Sequence, residues 1–237
     1  MSDRFFTDST FVDDQITLAD DQAHHLINVM RAKLGDEVVL FDAQGNEYQT
    51  QIVDVAKKRL TLKRTATARP ERKLATNITI VAALPKGDRQ KFMIEKLVEL
   101  GVAKFIPLTT PRSVAQVNAK VLGRIERQII EATKQCRRSY LMEVSEAKTM
   151  SEVLAEFDAA NQRCFIAHPY DAQPMKAVAG EDSSKECVWL IGPEGGFADE
   201  EVAQAIAAGW QAISFGEIIL RVETAALLAA MGSRQSF

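Results

Sequence analysis

The sequence is poor in the residue types that staple or metallate small folds. Its 237 residues include three cysteines, three histidines and two tryptophans. Cys136, Cys164 and Cys187 are odd in number and widely spaced. That pattern excludes a complete disulfide framework and does not fit a zinc motif, so free buried thiols are expected. His24, His25 and His168 show no ligand spacing with the cysteines, and no metal is expected. No apolar run reaches the ~18 residues of a membrane span, so no membrane partner is expected. The opening Met1-Ser2-Asp3-Arg4-Phe5-Phe6 lacks the apolar core of a signal peptide, which predicts a cytoplasmic protein. Two nucleotide fingerprints are also missing: G-x-G-x-x-G, and the Gly-Lys-Ser/Thr ending of a phosphate-binding loop. Internal repeats and low-complexity tracts are absent.

Hydrophobic residues make up 46% and charged residues 26%, enough apolar material for a packed core. The length suits one large domain or two modest ones. A net charge of −3 conceals an uneven distribution. From Leu84 to Arg138 there are twelve Lys/Arg against five Asp/Glu; from Met142 to Glu223 there are five against fifteen. A second basic cluster runs through Lys57-Lys58-Arg59, Lys63-Arg64, Arg69 and Arg72-Lys73, broken only by Glu71. Local basic surface matters more to a polyanion than the overall balance. Solvated charged faces are the competing reading.

The first seventy residues read as mostly β. Glu37–Asp42 is a short strand, Ala43-Gln44-Gly45-Asn46 a turn, Glu47–Val55 the returning strand, and Leu60-Thr61-Leu62 a further one. Asp20–Arg31 has a helical pattern, with Ala23, Leu26, Ile27 and Met30 on one face and Asp20 or Asp21 as cap. This is the pattern of a small barrel. A polar, basic stretch around Ala66–Thr76 with Pro70 marks a boundary. Beyond it, strands and helices alternate. Strands are predicted at 77–84, 103–108, 164–167, 187–191 and 212–215, and helices at 87–100, 118–137, 199–208 and a last one that starts with Arg221 and Glu223 and runs through Ala225–Met231. That rhythm predicts an α/β domain with a mainly parallel sheet.

Two glycine-bearing turns stand out. Ile191-Gly192-Pro193-Glu194-Gly195-Gly196-Phe197 and Phe215-Gly216-Glu217-Ile218-Ile219-Leu220-Arg221 each follow a buried strand and lead into a helix. Glycine lets the backbone approach a ligand and Pro193 stiffens the turn. Loops of this kind at the ends of neighbouring parallel strands suggest one pocket. A tight turn without a ligand is the alternative. Lys86 and Arg89, in Leu84-Pro85-Lys86-Gly87-Asp88-Arg89, stand where a helix N-terminus could hold phosphate, or are ordinary turn residues. Arg137 and Arg138 close the long helix, where cations are favoured in any case. Arg221 stands at a helix start against its electrostatic preference, whereas Glu223 gains there.

These pieces, in order, resemble the ribosomal RNA small subunit methyltransferase E family. The resemblance rests on Leu84–Arg89, Glu99-Leu100-Gly101-Val102, Pro107-Leu108, Arg112-Ser113-Val114, Gln135-Cys136 with Arg138, Ile191–Phe197 and Leu220–Ala225. Upstream it includes His24-His25-Leu26, Val29-Met30-Arg31, Gly35-Asp36 and Phe41-Asp42. It implies methylation of N3 of a uridine in 16S rRNA with S-adenosyl-L-methionine (SAM) as donor. It further implies an α/β SPOUT-type domain with a C-terminal trefoil knot over 74–237, a PUA-like RNA-binding β-barrel over 1–70, and a homodimer. Three loops would then hold the cofactor: Ala167-His168-Pro169, Ile191 with Gly192-Pro193-Glu194-Gly195-Gly196, and Phe215-Gly216 with Ile219-Leu220-Arg221. Arg138 and Arg221 would flank the reaction centre, with Glu194 and Glu223 as candidate proton acceptors. RNA contacts would fall to Arg31, Lys57, Lys58, Arg59, Lys86, Arg89, Arg112, Arg124 and Arg138. The chain departs from the family pattern at Ile218, where Arg is frequent, at Met142, where Pro is, and at Arg137, where Gly is common. A non-catalytic RNA-binding protein of the same fold and a nucleotide-binding oxidoreductase are the alternative readings.

Overall fold

The computed structural model describes residues 4–70, 76–112, 117–176 and 186–234. Arg72, Lys73, Ser113 and Val114, named above, lie outside the described residues, as do the Asp20 and Asp21 side chains considered as caps. The chain forms two compact units, residues 1–73 with 133–141, and residues 74–132 with 142–237.

In the first unit, β1 (Arg4–Phe6), β2 (Gln15–Ala19), α1 (Asp20–His24), β3 (Glu37–Phe41), β4 (Glu47–Ala56) and β5 (Arg59–Ala68) follow in sequence. The strands form one sheet in the order β1-β3-β4-β5-β2, antiparallel except for β1 beside β3. Register breaks at Gln49/Thr50 and Ile52/Asp54 bend the long β4–β5 pair. Alternate residues such as Ile16, Leu18, Val38, Leu40, Ile52, Leu60 and Leu62 enclose one core. The predicted helix over 20–31 is shorter. After His24 the chain widens into a π turn over His25–Val29. The wider turn shifts the apolar face, so Ala23 and Leu26 are buried while Met30 is exposed. Strands β1 and β2 were not picked out in the sequence: β1 has three residues, and the alternation of β2, with Ile16 and Leu18 buried, spans only five.

Residues 133–141 belong to this unit through a buried polar network, an excursion that a single cut in the sequence does not allow for. Arg4 Nη2 lies 2.7 Å from Glu47 Oε1, with side chains 8% and 10% exposed. Arg4 donates to Thr133 O at 3.2 Å and to Ser139 Oγ at 3.1 Å. Ser139 Oγ donates to Glu47 at 2.8 Å. The Arg4 guanidinium stacks on Phe41 at 3.8 Å. Tyr140 lies so close over Gly45 that a Cβ there would clash with its ring.

The second unit contains β6 (Ile78–Ala82), α2 (Asp88–Glu99), β7 (Lys104–Thr109), α3 (Ala119–Cys136, its last turn counted with the first unit), β8 (Glu143–Val144), β9 (Lys148–Thr149) and α4 (Met150–Glu156). These are followed by β10 (Arg163–Ala167), β11 (Gln173–Pro174), β12 (Cys187–Ile191), α5 (Asp199–Ala207), β13 (Gln211–Ser214) and α6 (Val222–Gly232). The sheet order is β11-β13-β10-β12-β6-β7-β8, with β9 also on β7, and every pairing is parallel. Both faces are covered, as parallel sheets require. Val188 and Leu190 pack with Met150, Val153, Ala205 and Trp210 on one face. Trp189, pointing the other way, donates to Ser233 Oγ at 2.7 Å and stacks near Phe165 and Phe215. Helix α4 escaped the sequence reading although Thr149 and Glu152 form a complete capping box.

Because the Arg4 and Glu47 side chains are both largely buried, removing either takes an ion-pair partner from a charge that is poorly hydrated. Glu47→Ala is expected to cost about 3 kcal/mol or more of stability, and Ser139→Ala about 1 kcal/mol. Urea denaturation followed by far-UV circular dichroism checks both, since both tryptophans lie in the second unit.

Candidate functional site

Parallel strands present their carboxyl ends on the same edge of the sheet. Strands β13, β10 and β12 are consecutive neighbours, so three loops converge: Ala167–Tyr170 after β10, Gly192–Phe197 after β12, and Phe215–Leu220 after β13. The two glycine turns are thus separated by β10 rather than adjacent, and β10 contributes the third loop between them. His168 N donates to Ile213 O at 3.0 Å, tying the first loop to β13. Together they enclose a cavity of about 350 Å³. Its wall includes Ala167, His168, Pro169, Ile191, Gly192, Pro193, Glu194, Gly195, Gly196, Phe215, Gly216, Ile219 and Leu220. Tyr170, Phe197, Asp199, Ile213, Ile218, Val222 and Ala225 complete the lining. Most of these additions flank the three loops and could have been found by extending each one by a residue or two.

Glycine is required at several of these positions. Gly196 and Gly216 have φ of 67° and 113°, which favour a residue without a Cβ. Gly196 N donates to Pro193 O at 2.8 Å, closing a four-residue turn. At Gly192 a Cβ would stand 3.1 Å from the Phe197 ring and 3.3 Å from its backbone nitrogen. Ser214 Oγ accepts from Gly216 N at 3.2 Å and steadies the start of the third loop.

The charged candidates fall into distinct settings. Glu194 lines the cavity, and Glu223 is buried in the first turn of α6. Arg89 Nη2 donates to Glu194 at 3.2 Å, and its Nη1 lies 3.8 Å from Glu223. Arg112 Nη1 donates to Gly195 O at 3.0 Å and Phe197 O at 3.4 Å. Arg124 donates to Gln90 Oε1 at 2.6 Å. Arg221 is exposed and stands at the N-cap position of α6 without a capping side-chain bond, between the cavity residues Leu220 and Val222. Arg138 belongs to the first unit and is buried, and burial pushes its guanidinium below the usual arginine range. Lys57 and Lys58 form the exposed turn between β4 and β5, with Arg59 opening β5; Arg31 and Lys86 are also exposed. Burial pushes the Cys164 thiol up to about 12, which suits a packing residue and not a nucleophile. Among the described residues no three His, Cys, Asp or Glu side chains gather as a metal site. Nor is any described helix long and apolar enough to cross a membrane.

Residues 72–232 match the family described as an RNA methyltransferase domain, and residues 18–63 match the RNA methyltransferase PUA domain. The ribosomal RNA small subunit methyltransferase E of Synechocystis sp. is 31% identical over 216 residues, covering 90% of this chain and 71% of that protein. The chain belongs to the ribosomal RNA small subunit methyltransferase E family. The methyltransferase E of Rickettsia conorii is 30% identical over 91% of this chain and 87% of its own length. The methyltransferase E of Neisseria gonorrhoeae, solved bound to SAM, shares 28% identity with a TM-score of 0.88, covering 97% of this chain and 95% of that one. A methyltransferase of Legionella pneumophila, solved in complex with SAM, superposes with a TM-score of 0.89 at 26% identity, over 98% and 97% of the two chains. Family membership sets aside the oxidoreductase considered from the glycine-rich turn.

The loop geometry of this methyltransferase E family member makes two substitutions informative. Gly196→Ala meets no neighbour within 4 Å, so its cost is backbone strain of about 1–2 kcal/mol. Gly192→Ala presses instead on Phe197. Each is expected to lower the melting temperature by roughly 2–4 °C or more, measured by calorimetry.

Proposed function

We propose that this chain transfers the methyl group of SAM to N3 of a uridine in the 16S rRNA of the small ribosomal subunit. The observation that carries the reading is the convergence of three parallel-strand loops on one cavity, in a chain of this family. The cavity suits SAM on chemical grounds. Its volume of about 350 Å³ falls within the range of small-molecule sites. Ile191, Ile213, Phe215 and Leu220 offer apolar walls to a purine and ribose. The glycines Gly192, Gly195, Gly196 and Gly216 bring main-chain donors and acceptors within reach of a ligand. Glu194 and Asp199 supply negative charge at the wall, compatible with a cationic ligand. When bound there, SAM supplies a methyl group already activated by its sulfonium.

The chain's own part is orientation and proton management. Uridine N3 carries a proton and becomes nucleophilic as that proton leaves. Arg221, exposed beside the cavity, is the first candidate to stabilise negative charge spreading onto the uracil carbonyls, and Arg138 is a second. Glu194 and Glu223 are the candidate proton acceptors. The base must leave any stack to reach the cavity. Residues 1–70 are assigned to RNA binding, with the Lys57-Lys58-Arg59 turn and Arg31 contacting phosphate, and residues 74–237 to methyl transfer. Lys86 and Arg124 extend the phosphate contacts. The same reading includes a trefoil knot in the second unit, a cytoplasmic setting and a homodimer. The dimer is supported by an apolar stripe on α6, where Leu228 and Met231 are exposed, together with Ile218 and Ile219.

Small subunits from cells lacking this protein, incubated with it and SAM, are expected to gain one N3-methyluridine, mapped by mass spectrometry of nuclease fragments. No gain in mass would overturn the assignment. In single-turnover assays across several pH values, Glu194→Gln or Glu223→Gln is expected to slow transfer by at least about tenfold. Near-normal rates in both would remove them as bases.

A further inference from the structure

Two arginines from elements outside the three loops are turned onto the glycine-rich turn. Arg112 follows β7 and lies along Gly195, its Cδ 3.5 Å from where a Cβ would stand. Its guanidinium donates to the Gly195 and Phe197 carbonyls, on either side of Gly196. Arg89, in the first turn of α2, reaches the side-chain face of the same turn at Glu194. Its other terminal nitrogen faces Glu223, where the third loop enters α6. Glu223 is the buried partner, 8% exposed at the side chain, and its Oε2 has no hydrogen-bond partner among the described residues. The 3.8 Å approach of Arg89 therefore supplies a charge that a buried carboxylate needs. The Arg89–Glu194 arm is more than a third exposed at Arg89 and contributes less, through solvent screening.

A turn with three glycines gains close approach to a ligand and loses order. Its own main-chain closure is the single bond from Gly196 to Pro193. The planar Arg89 guanidinium presents its two terminal nitrogens to two carboxylates at fixed spacing, which a lysine ammonium does less well. We propose that Arg89 and Arg112 are positioning residues that hold the Gly192–Phe197 turn, and its link to α6, in the shape that binds SAM. Their cationic groups are committed to this task and not to RNA phosphate. The inference rests on the proposed function, because it takes SAM as the occupant of the cavity.

The test compares the full-length protein with its Arg89→Ala, Arg89→Lys and Arg112→Ala variants. SAM affinity is measured by isothermal calorimetry, binding to unmethylated small subunits by filter retention, and melting temperature in parallel. Arg89→Ala and Arg112→Ala are expected to bind SAM about tenfold more weakly, with Arg89→Lys between them and wild type. Affinity for the subunit is expected to stay within about twofold, since no phosphate contact is lost. Should Arg89→Ala not fold, Arg89→Lys keeps a charge beside Glu223 and carries the comparison. Unchanged SAM affinity in the folded variants, with weakened subunit binding, would overturn the inference and leave the function standing. A wild-type protein that binds the subunit but not SAM would overturn the function itself.

Discussion

Everything at the candidate site depends on parallel strand pairing. A parallel ladder fixes direction, so each strand from β11 to β8 delivers its carboxyl end to the same edge. With β10 between β13 and β12, strand order alone brings three loops separated in sequence to one edge, and the His168–Ile213 bond adds to it. The price is that both sheet faces must be buried, and the residues show it. Strands β6 and β12 are buried along their whole length, and Trp189 and Val188 serve opposite faces of one strand. The cavity is therefore a consequence of packing that is indifferent to ligands.

Charge in the second unit is divided by task. The basic stretch from Leu84 to Arg138 looked in the sequence like a surface for a polyanion. In the structure some of its cations have protein partners, among them Arg89 with two glutamates and Arg112 with two carbonyls. A cation bonded to its own fold has less to offer a phosphate. Lys57, Lys58 and Arg59 differ in kind, since a turn between two antiparallel strands places them in solvent.

The legible parts were those with strong local signals. Glycine turns after continuous apolar runs identified two cavity loops, and the resemblance supplied the third at Ala167–Pro169. The β-to-α/β change of rhythm located both architectures. Short elements without periodicity, such as β1, β8 and β11, stayed hidden because only their sheet neighbours define them. The roles of Arg89 and Arg112 were hidden for another reason: a side chain's partner more than 80 residues away leaves no trace in local pattern. At Arg137 the departure from glycine is now physical. Its φ of 60° is the left-handed geometry that usually ends a helix on glycine, and this chain accepts the strain with an arginine.

The membership of residues 133–141 in the first unit bears on synthesis. The ribosome releases β1 to β5 long before it releases Ser139, which bonds to both Arg4 and Glu47. Until then the sheet exists without the segment that covers its buried ion pair, while much of the second unit's sequence has already emerged. The two units therefore cannot mature strictly one after the other along the nascent chain. The earliest domain to appear is obliged to wait for a piece of the later sequence before its interior is dry.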